Sequence, residues 1–318
     1  MRLALAGDTM LGRGVADALS RDPTALVADP VASVMRQCDL CILNLECCVS
    51  ARGRRWPAPN KPFFFRAPPR AVELLAHLGV ACVTLANNHA LDYGEEALLD
   101  TIDHLRAAGI ASVGAGANIE AARAPRVVQA GGTRLIVVAF SDHPAEFAAA
   151  QGRAGIACAR GPGDQQWVHD AIAAARQSGD PVLVTPHWGP NMNTEPTREV
   201  QAAAAGLLTA GATLVAGHSA HVFHGTSGAI LYDLGDFLDD YATHPVLRND
   251  LGLLWLVDLD NSGPRRVEGL PLKLDYCHTR LAEGDDAAWI ERRLRRASET
   301  LGSTAHWTNQ RLVIESTR

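Results

Sequence analysis

Leu3-Ala4-Leu5-Ala6-Gly7-Asp8 stands at the start of the chain, four apolar residues running straight into a glycine and a carboxylate. Leu3 to Ala6 reads as a first buried strand, which leaves Asp8 just past its end. The same arrangement recurs outward from there. Leu40 to Leu45 carries Asn44 and Glu46 at its end, and Val80 to Leu85 is followed by Asn87-Asn88-His89. Val182 to Thr185 leads to His187, and Thr213 to Ala216 leads to His218 and His221. Further strand-like runs fall at Leu135 to Phe140 and Ile230 to Leu234. Alanine-rich amphipathic stretches lie between, at Pro69 to Leu78, Glu95 to Ala107, Asp164 to Arg176 and Arg198 to Thr209. Alternation of this kind predicts an α/β fold.

In open α/β sheets, ligands bind beyond the carboxyl ends of the strands. Five strand ends here deliver Asp, Glu, Asn and His toward one edge. Carboxylate and amide oxygens with imidazole nitrogens make a first shell for a divalent metal such as Ca²⁺, Mg²⁺ or Mn²⁺. One such residue alone is more often a cap or a satisfied polar group; the recurrence reverses those odds.

With 318 residues, the chain is long enough for two average domains or one large α/β unit. No repeat or low-complexity linker divides it, so residues 1–245 are expected to form the core and 246–318 a C-terminal extension of the same domain. That extension holds strand-like Leu253 to Asp258 and Val267 to Leu274 and a last helix around Ala287 to Thr300. The long irregular stretch from Cys47 to Pro69, with Trp56 and the run Phe63-Phe64-Phe65, predicts a lid that touches substrate. The alternative is that its aromatics plug the core.

The 29 basic and 35 acidic residues leave a net charge of −6, which argues against a nucleic-acid binder, since that needs a basic face. Apolar runs fall short of the roughly 18 residues a membrane span needs. No secretory signal pattern opens the chain, so a cytoplasmic location is expected. Seven cysteines, at 38, 41, 47, 48, 82, 158 and 277, are an odd and scattered set. Cys38-x-x-Cys41 with Cys47-Cys48 is read as small buried hydrophobes rather than a zinc or redox site. Arg292-Arg293 and Arg295-Arg296 are read as a solvated helix face.

A set of motifs carries a resemblance. They are Gly7-Asp8-Thr9-Met10-Leu11-Gly12-Arg13, Asn44-Leu45-Glu46, Lys61-Pro62-Phe63 with Phe65-Arg66-Ala67-Pro68, and Asn87-Asn88-His89 with Asp92-Tyr93-Gly94. His187-Trp188-Gly189, Gly217-His218 with His221-Val222, and Tyr232-Asp233-Leu234-Gly235-Asp236-Phe237 follow in order. Over residues 2 to 240 the chain resembles the CapA-type family of poly-γ-glutamate capsule-biosynthesis proteins, a branch of the calcineurin-like metallophosphoesterases. The resemblance implies two packed mixed β-sheets flanked by helices, with a metal at the strand ends. Carried over by position, Asp8, Glu46, Asn88, His187, His218 and His221 are the metal-site candidates. His89 matches the histidine such enzymes place beside the metal, and Asp92 is expected to orient it or to cap the following helix.

The chain also departs from the family. Asp8 is followed by Thr9-Met10 where most calcineurin-like phosphoesterases have Asp-x-His, so one ligand of the usual metal pair is missing. Gly217-His218-Ser219-Ala220-His221 stands in place of Gly-His-His-Pro-His, and Asp233 and Asp236 replace Ser and Asn. Fewer ligands for a second cation and more His/Asp partners favour proton transfer over phosphoryl transfer. The expected function is therefore a metal-dependent acid/base enzyme acting on a peptide, similar to the CapA-like epimerases that invert a Cα in lasso-peptide maturation. A precursor peptide and a leader-binding protein would be its partners, with neither nucleic acid nor membrane. His89 with Asp92 is the first acid/base pair. The second combines His187, His218 or His221 with Asp233 or Asp236. The alternative is a metal-dependent phosphoesterase or hydrolase linked to capsule synthesis.

Overall fold

The computed structural model describes residues 1–59, 61–161 and 164–316. Strands β1 (Arg2–Thr9), β2 (Leu40–Leu45), β3 (Val80–Thr84) and β4 (Ala111–Val113) run parallel to one another. A second group follows: β5 (Arg126–Ala130), β6 (Thr133–Ser141), β7 (Val182–His187), β8 (Leu214–Ala216), β9 (Thr226–Ser227) and β10 (Ile230–Leu231). Cys48–Val49 pairs with Arg66–Ala67 and Ala115–Gly116 with Gly155–Ile156 in two small ribbons, and the other strands of the large sheets are β11 (Asp236–Leu238), β12 (Leu251–Asp260), β13 (Gly263–Asp275), β14 (His278–Leu281), β15 (Ser303–Thr308) and β16 (Arg311–Ser316).

They form two large mixed sheets. The ten-stranded sheet has the order β15-β16-β13-β12-β1-β2-β3-β4, with β11 beside β1 and β14 beside β13. The six-stranded sheet has the order β9-β10-β8-β7-β6-β5. The C-terminal strands are therefore built into the first sheet, where β12 pairs antiparallel with β1.

Alternation along the strands assembles the layers, because successive side chains point to opposite faces. Leu3 and Leu5, with Leu40 and Ile42, face Leu135, Val137 and Leu183 of the other sheet. Ala4 and Ala6, with Cys41 and Leu43, face helices Arg13–Arg21, Asp29–Arg36, Ala71–His77 and Gly94–Ala107 on the outside. Ile136, Val138, Val182 and Val184 pack in the same way under helices Gln166–Arg176 and Arg198–Thr209. Each fully buried Leu contributes roughly 1.5–3 kcal/mol. Two packed mixed sheets flanked by helices are thus the architecture of the chain.

The helices Arg13–Arg21 and Asp29–Arg36 and the hairpin of β15 and β16 have no counterpart among the elements expected from the sequence. Among the described residues no disulfide links the cysteines, and Cys41, Cys47, Cys48, Cys82 and Cys277 are buried thiols. Cys38 and Cys158 are half-buried. No helix among the described residues is long and apolar enough to cross a membrane.

Candidate metal centre and acid/base pocket

Gly7 explains how β1 delivers Asp8. A Cβ at Gly7 would lie 1.8 Å from the Gly235 carbonyl oxygen, so only glycine lets the two backbones touch. The Asp8 amide donates to that same carbonyl at 2.9 Å. The β1–β2 register slips between Ala6 and Asp8, an irregularity that re-aims the side chain at the strand end. Asn44 Nδ2 then donates to Asp8 Oδ1 at 2.8 Å, while Asn44 Oδ1 accepts from Thr84 Oγ1 at 3.0 Å and Asn87 Nδ2 at 2.9 Å. Asn44, Thr84 and Asn87 are therefore positioning residues, drawn from two adjacent strand ends.

The loop after β8 brings the histidines. Ser219 and His221 adopt positive φ values of 114° and 59°, the left-handed region that non-glycine residues rarely occupy outside functional loops. His218 Nδ1 lies 3.1 Å from Asp8 Oδ1, and His221 Nδ1 lies 3.5 Å from Asp8 Oδ2 and 2.9 Å from Asp236 Oδ1. His187, at the end of β7, places Nε2 3.6 Å from Glu46 Oε1. Potential ligand atoms of Asp8, Glu46 and His221 all lie within 4.8 Å of one another, and all three residues are buried.

Opposite them sits the dyad. His89 Nδ1 lies 2.6 Å from Asp92 Oδ2, which also accepts from the Phe65 amide at 2.7 Å. Lys61 Nζ holds the other Asp92 oxygen at 2.6 Å and the Asn88 carbonyl. Asp92 does not cap the Gly94–Ala107 helix, whose N-cap is Tyr93 without a side-chain bond. A cavity of 370 Å³ lies between the two sets, lined by Asn88, His89, His221, Tyr241, Lys61 and Phe63 among others.

Residues 2–241 match the model of the bacterial capsule synthesis protein PGA_cap family. The chain belongs to the PGA_cap family. It is 34% identical over 283 residues to a probable polyglutamine synthesis accessory protein of Mycobacterium tuberculosis, covering 83% of this chain and 73% of that one. It is 28% identical over 253 residues to the capsule biosynthesis protein CapA of Bacillus anthracis, covering 76% and 60%. A hypothetical protein from Thermus thermophilus superposes with a TM-score of 0.50 at 16% identity, covering 86% and 99%.

The donor set of this PGA_cap protein fits a divalent cation. Both Glu46 carboxylate oxygens, Asn88 Oδ1 and His187 Nε2 are buried without a hydrogen-bond partner. Such orphaned atoms are costly unless something else satisfies them. Burial, reinforced by the charge of Asp8, pushes the Glu46 carboxyl well above its usual range. Burial alone would do the same to Asp8, but the His218 hydrogen bond and the His218, His221 and His187 rings hold it below. His221 is raised despite burial, because Asp236, Glu46 and Asp8 surround it. A dication held there would stabilise the ionised form of these buried carboxylates.

Not every expected residue lands in the site. The Asp233 carboxylate is engaged by the Ala220 and Gly235 amides at 2.8 and 2.9 Å. It clamps the loop that carries His221 and does not line the pocket, so the geometry gives it a positioning role instead of the acid/base role expected. Of the Cys47 to Pro69 aromatics, Phe63 is 42% exposed at the pocket wall, whereas Phe64 and Phe65 are buried and Trp56 packs edge-on against Phe147 at 5.0 Å. The segment is both lid and plug. Sequence reasoning missed His143, whose ring lies 5.3 Å from that of His187 and which pairs with Asp142. The signal was present: β6 ends at Ser141 and Asp142-His143 follow it, one more polar strand end.

Proposed function

We propose that the chain is a metal-dependent hydrolase of polyglutamate and capsule synthesis, with Asp8, Glu46 and His221 holding the cation and Asn88, His187 and His218 completing its surroundings. The observation that carries this reading is the set of buried donors without partners, gathered with Asp8 and His221 beside the cavity that Asn88, His89 and His221 line. A divalent cation such as Mn²⁺, Mg²⁺ or Ca²⁺ would supply Lewis-acid polarisation and charge stabilisation there.

His89 does the proton work. Burial draws its pKa down to about 4 against the upward pull of Asp92, so the ring is neutral near pH 7. Its Nδ1–H donates to Asp92, which fixes the tautomer and leaves the Nε2 lone pair as a base. His89 takes a proton from the attacking water and returns it to the leaving group. Lys61 and the Phe65 amide keep Asp92 in place during the exchange.

Relatives named for polyglutamine synthesis and for capsule biosynthesis support a polymer of glutamine or glutamate as the substrate. The test is release of glutamate oligomers from α- and γ-linked polyglutamate, and of phosphate from aryl phosphates, with each metal and with chelator. Turnover that is unaffected by full metal removal would sink the proposal.

A second reading, peptide epimerisation, is favoured by one observation. His221 with Asp236 at 2.9 Å gives a second His/Asp pair, whose histidine lines the same cavity as His89. Inversion at a Cα needs one proton carrier on each face.

A further inference from the structure

Beside the catalytic pocket, and sharing Pro62 and Phe63 with it, lies a second cavity of 410 Å³ into which Arg13, Arg55 and Arg66 open. All three guanidiniums lie over aromatic faces: Arg13 4.9 Å from the Phe63 ring centre, Arg55 4.1 Å from Phe64, and Arg66 4.2 Å from Tyr93. A ring face holds the plane of a guanidinium while leaving its N–H edge open to a further acceptor. The neighbouring Arg52, by contrast, is taken up by the carboxylates of Glu96 and Asp100. Among the described residues Arg55 and Arg66 form no ion pair, and none of the cavity's lining side chains is acidic. Arg13 alone has a carboxylate, Asp240 at 3.2 Å, and its backbone takes a φ of 55° at the helix start. Three cations gathered at one mouth run against a net charge of −6 and focus a positive field there.

We propose that this cavity binds the side-chain carboxylates of an acidic polypeptide whose reacting bond lies in the adjoining pocket. The inference rests on the catalytic reading above only for what the adjoining pocket does. Arg13 lies 5.9 Å from the Tyr241 ring, which lies 5.5 Å from the His221 ring. Extended chain covers roughly 3.4 Å per residue, so at most about three residues separate the two places. The guanidiniums stand on separate rings, Arg55 on Phe64, Arg66 on Tyr93 and Arg13 among Phe63, Phe65 and Tyr241. That suits repeated monoanions, each taken by a planar fork, better than one phosphate, which several converging donors would surround.

The test is fluorescence anisotropy on the full chain, with and without added Mn²⁺. The probes are a fluorescein-labelled glutamate decamer, a glutamine decamer with the same label, and inorganic polyphosphate as competitor. The glutamate decamer should bind at least ten-fold more tightly than the glutamine decamer. Arg55→Gln and Arg66→Gln should each weaken it roughly five- to ten-fold, and Arg55→Lys should recover only part of that loss. Arg292→Gln, at a basic helix residue that lines neither of the two cavities, should leave the affinity unchanged. Arg55 is exposed and, among the described residues, makes neither an ion pair nor a side-chain hydrogen bond, so its variant should fold even if Arg66→Gln, which loses bonds to the Arg52 and Gly53 carbonyls, does not. Equal affinity for the glutamine decamer, or an unchanged affinity in Arg55→Gln, would overturn the proposal. Polyphosphate displacing the glutamate decamer at lower concentration than unlabelled polyglutamate would overturn it in favour of a phosphate polymer. Tight, Arg55-dependent binding without turnover would support this site while faulting the catalytic reading alone.

Discussion

The imidazole of His89 and the carboxylate of Asp92 stand 2.6 Å apart, and through Asp92 the base is tied to the segment that covers it. Asp92 Oδ2 accepts from the Phe65 amide, its Oδ1 faces Lys61, and its carbonyl accepts from the Trp56 amide at 2.8 Å. The Phe65 ring meets the His89 ring edge-on at 4.6 Å. Base and lid therefore form one unit, and a change in either is felt by the other.

His89→Gln should lower kcat by roughly 10²-fold or more, the usual size of a general acid/base contribution. Metal content, read by elemental analysis, should stay near wild type, because the candidate ligands are other residues. Asp92→Asn should lose comparable activity and also lower the melting temperature, since a buried pair with one partner removed costs about 3–5 kcal/mol. Wild-type melting in that variant would contradict the tie between base and lid.

Glu46→Gln should have opposite effects with and without metal. In the metal-free protein it removes a buried carboxylate that lacks partners, so thermal stability should hold or rise. The rise in melting temperature that Mn²⁺ gives the wild type should shrink sharply, because a ligand charge is gone. Metal-induced stabilisation of wild-type size would remove Glu46 from the centre.

Hydrolysis and epimerisation separate in D₂O. A hydrolase releases fragments and leaves every Cα–H of the surviving chain unlabelled. Proton abstraction and return instead adds one mass unit at an inverted Cα without cleavage. Mass spectrometry of glutamate peptides after incubation reads both; deuterium uptake that is lost in both His89→Gln and His221→Gln would establish the two-pair mechanism in place of hydrolysis.

His224 makes stability fall on mild acidification. Burial draws its pKa to about 4, with the Asn193 carbonyl pulling the other way. The unfolded chain takes up that proton near pH ~6.5. The contribution, on the order of 3 kcal/mol, is therefore complete above pH ~6.5 and is lost as pH falls toward ~4. His224→Gln should narrow the drop in melting temperature between pH ~7 and pH ~5. An equal drop in wild type and variant would exclude His224 as a source.

Gly7→Ala should disturb the site from behind. The new Cβ has the Gly235 carbonyl in its way, so β1 or the β11 approach must shift, at about 1–3 kcal/mol. Metal affinity should fall along with stability, because Asp8 follows directly. Unaltered metal binding in a folded variant would show that the backbone contact is dispensable for aiming Asp8.

The sequence by itself determined the alternation of strand and helix and the edge of the sheet where polar residues collect. Short continuous apolar runs and strand-end position are local properties, so Asp8, Glu46, Asn88, His89 and the three histidines are legible without coordinates. His143 obeys the same rule, but β6 runs on past Phe140, so its polar end is hidden from a pattern that stops with the apolar run. What tertiary structure alone decided is which polar groups meet and which are consumed by the backbone. Asp233 and Asp236 stand three residues apart, yet one closes a loop on two amides and the other faces His221. Asn44, two positions before Glu46, positions Asp8 instead of facing the cavity. The same holds for Arg13, Arg55 and Arg66, which meet over three aromatic faces. Distances of a few ångströms between residues tens to hundreds of positions apart depend on register, on a slip at Gly7 and on left-handed turns at Ser219 and His221. Those are set by how two sheets pack, which no local pattern in the chain encodes.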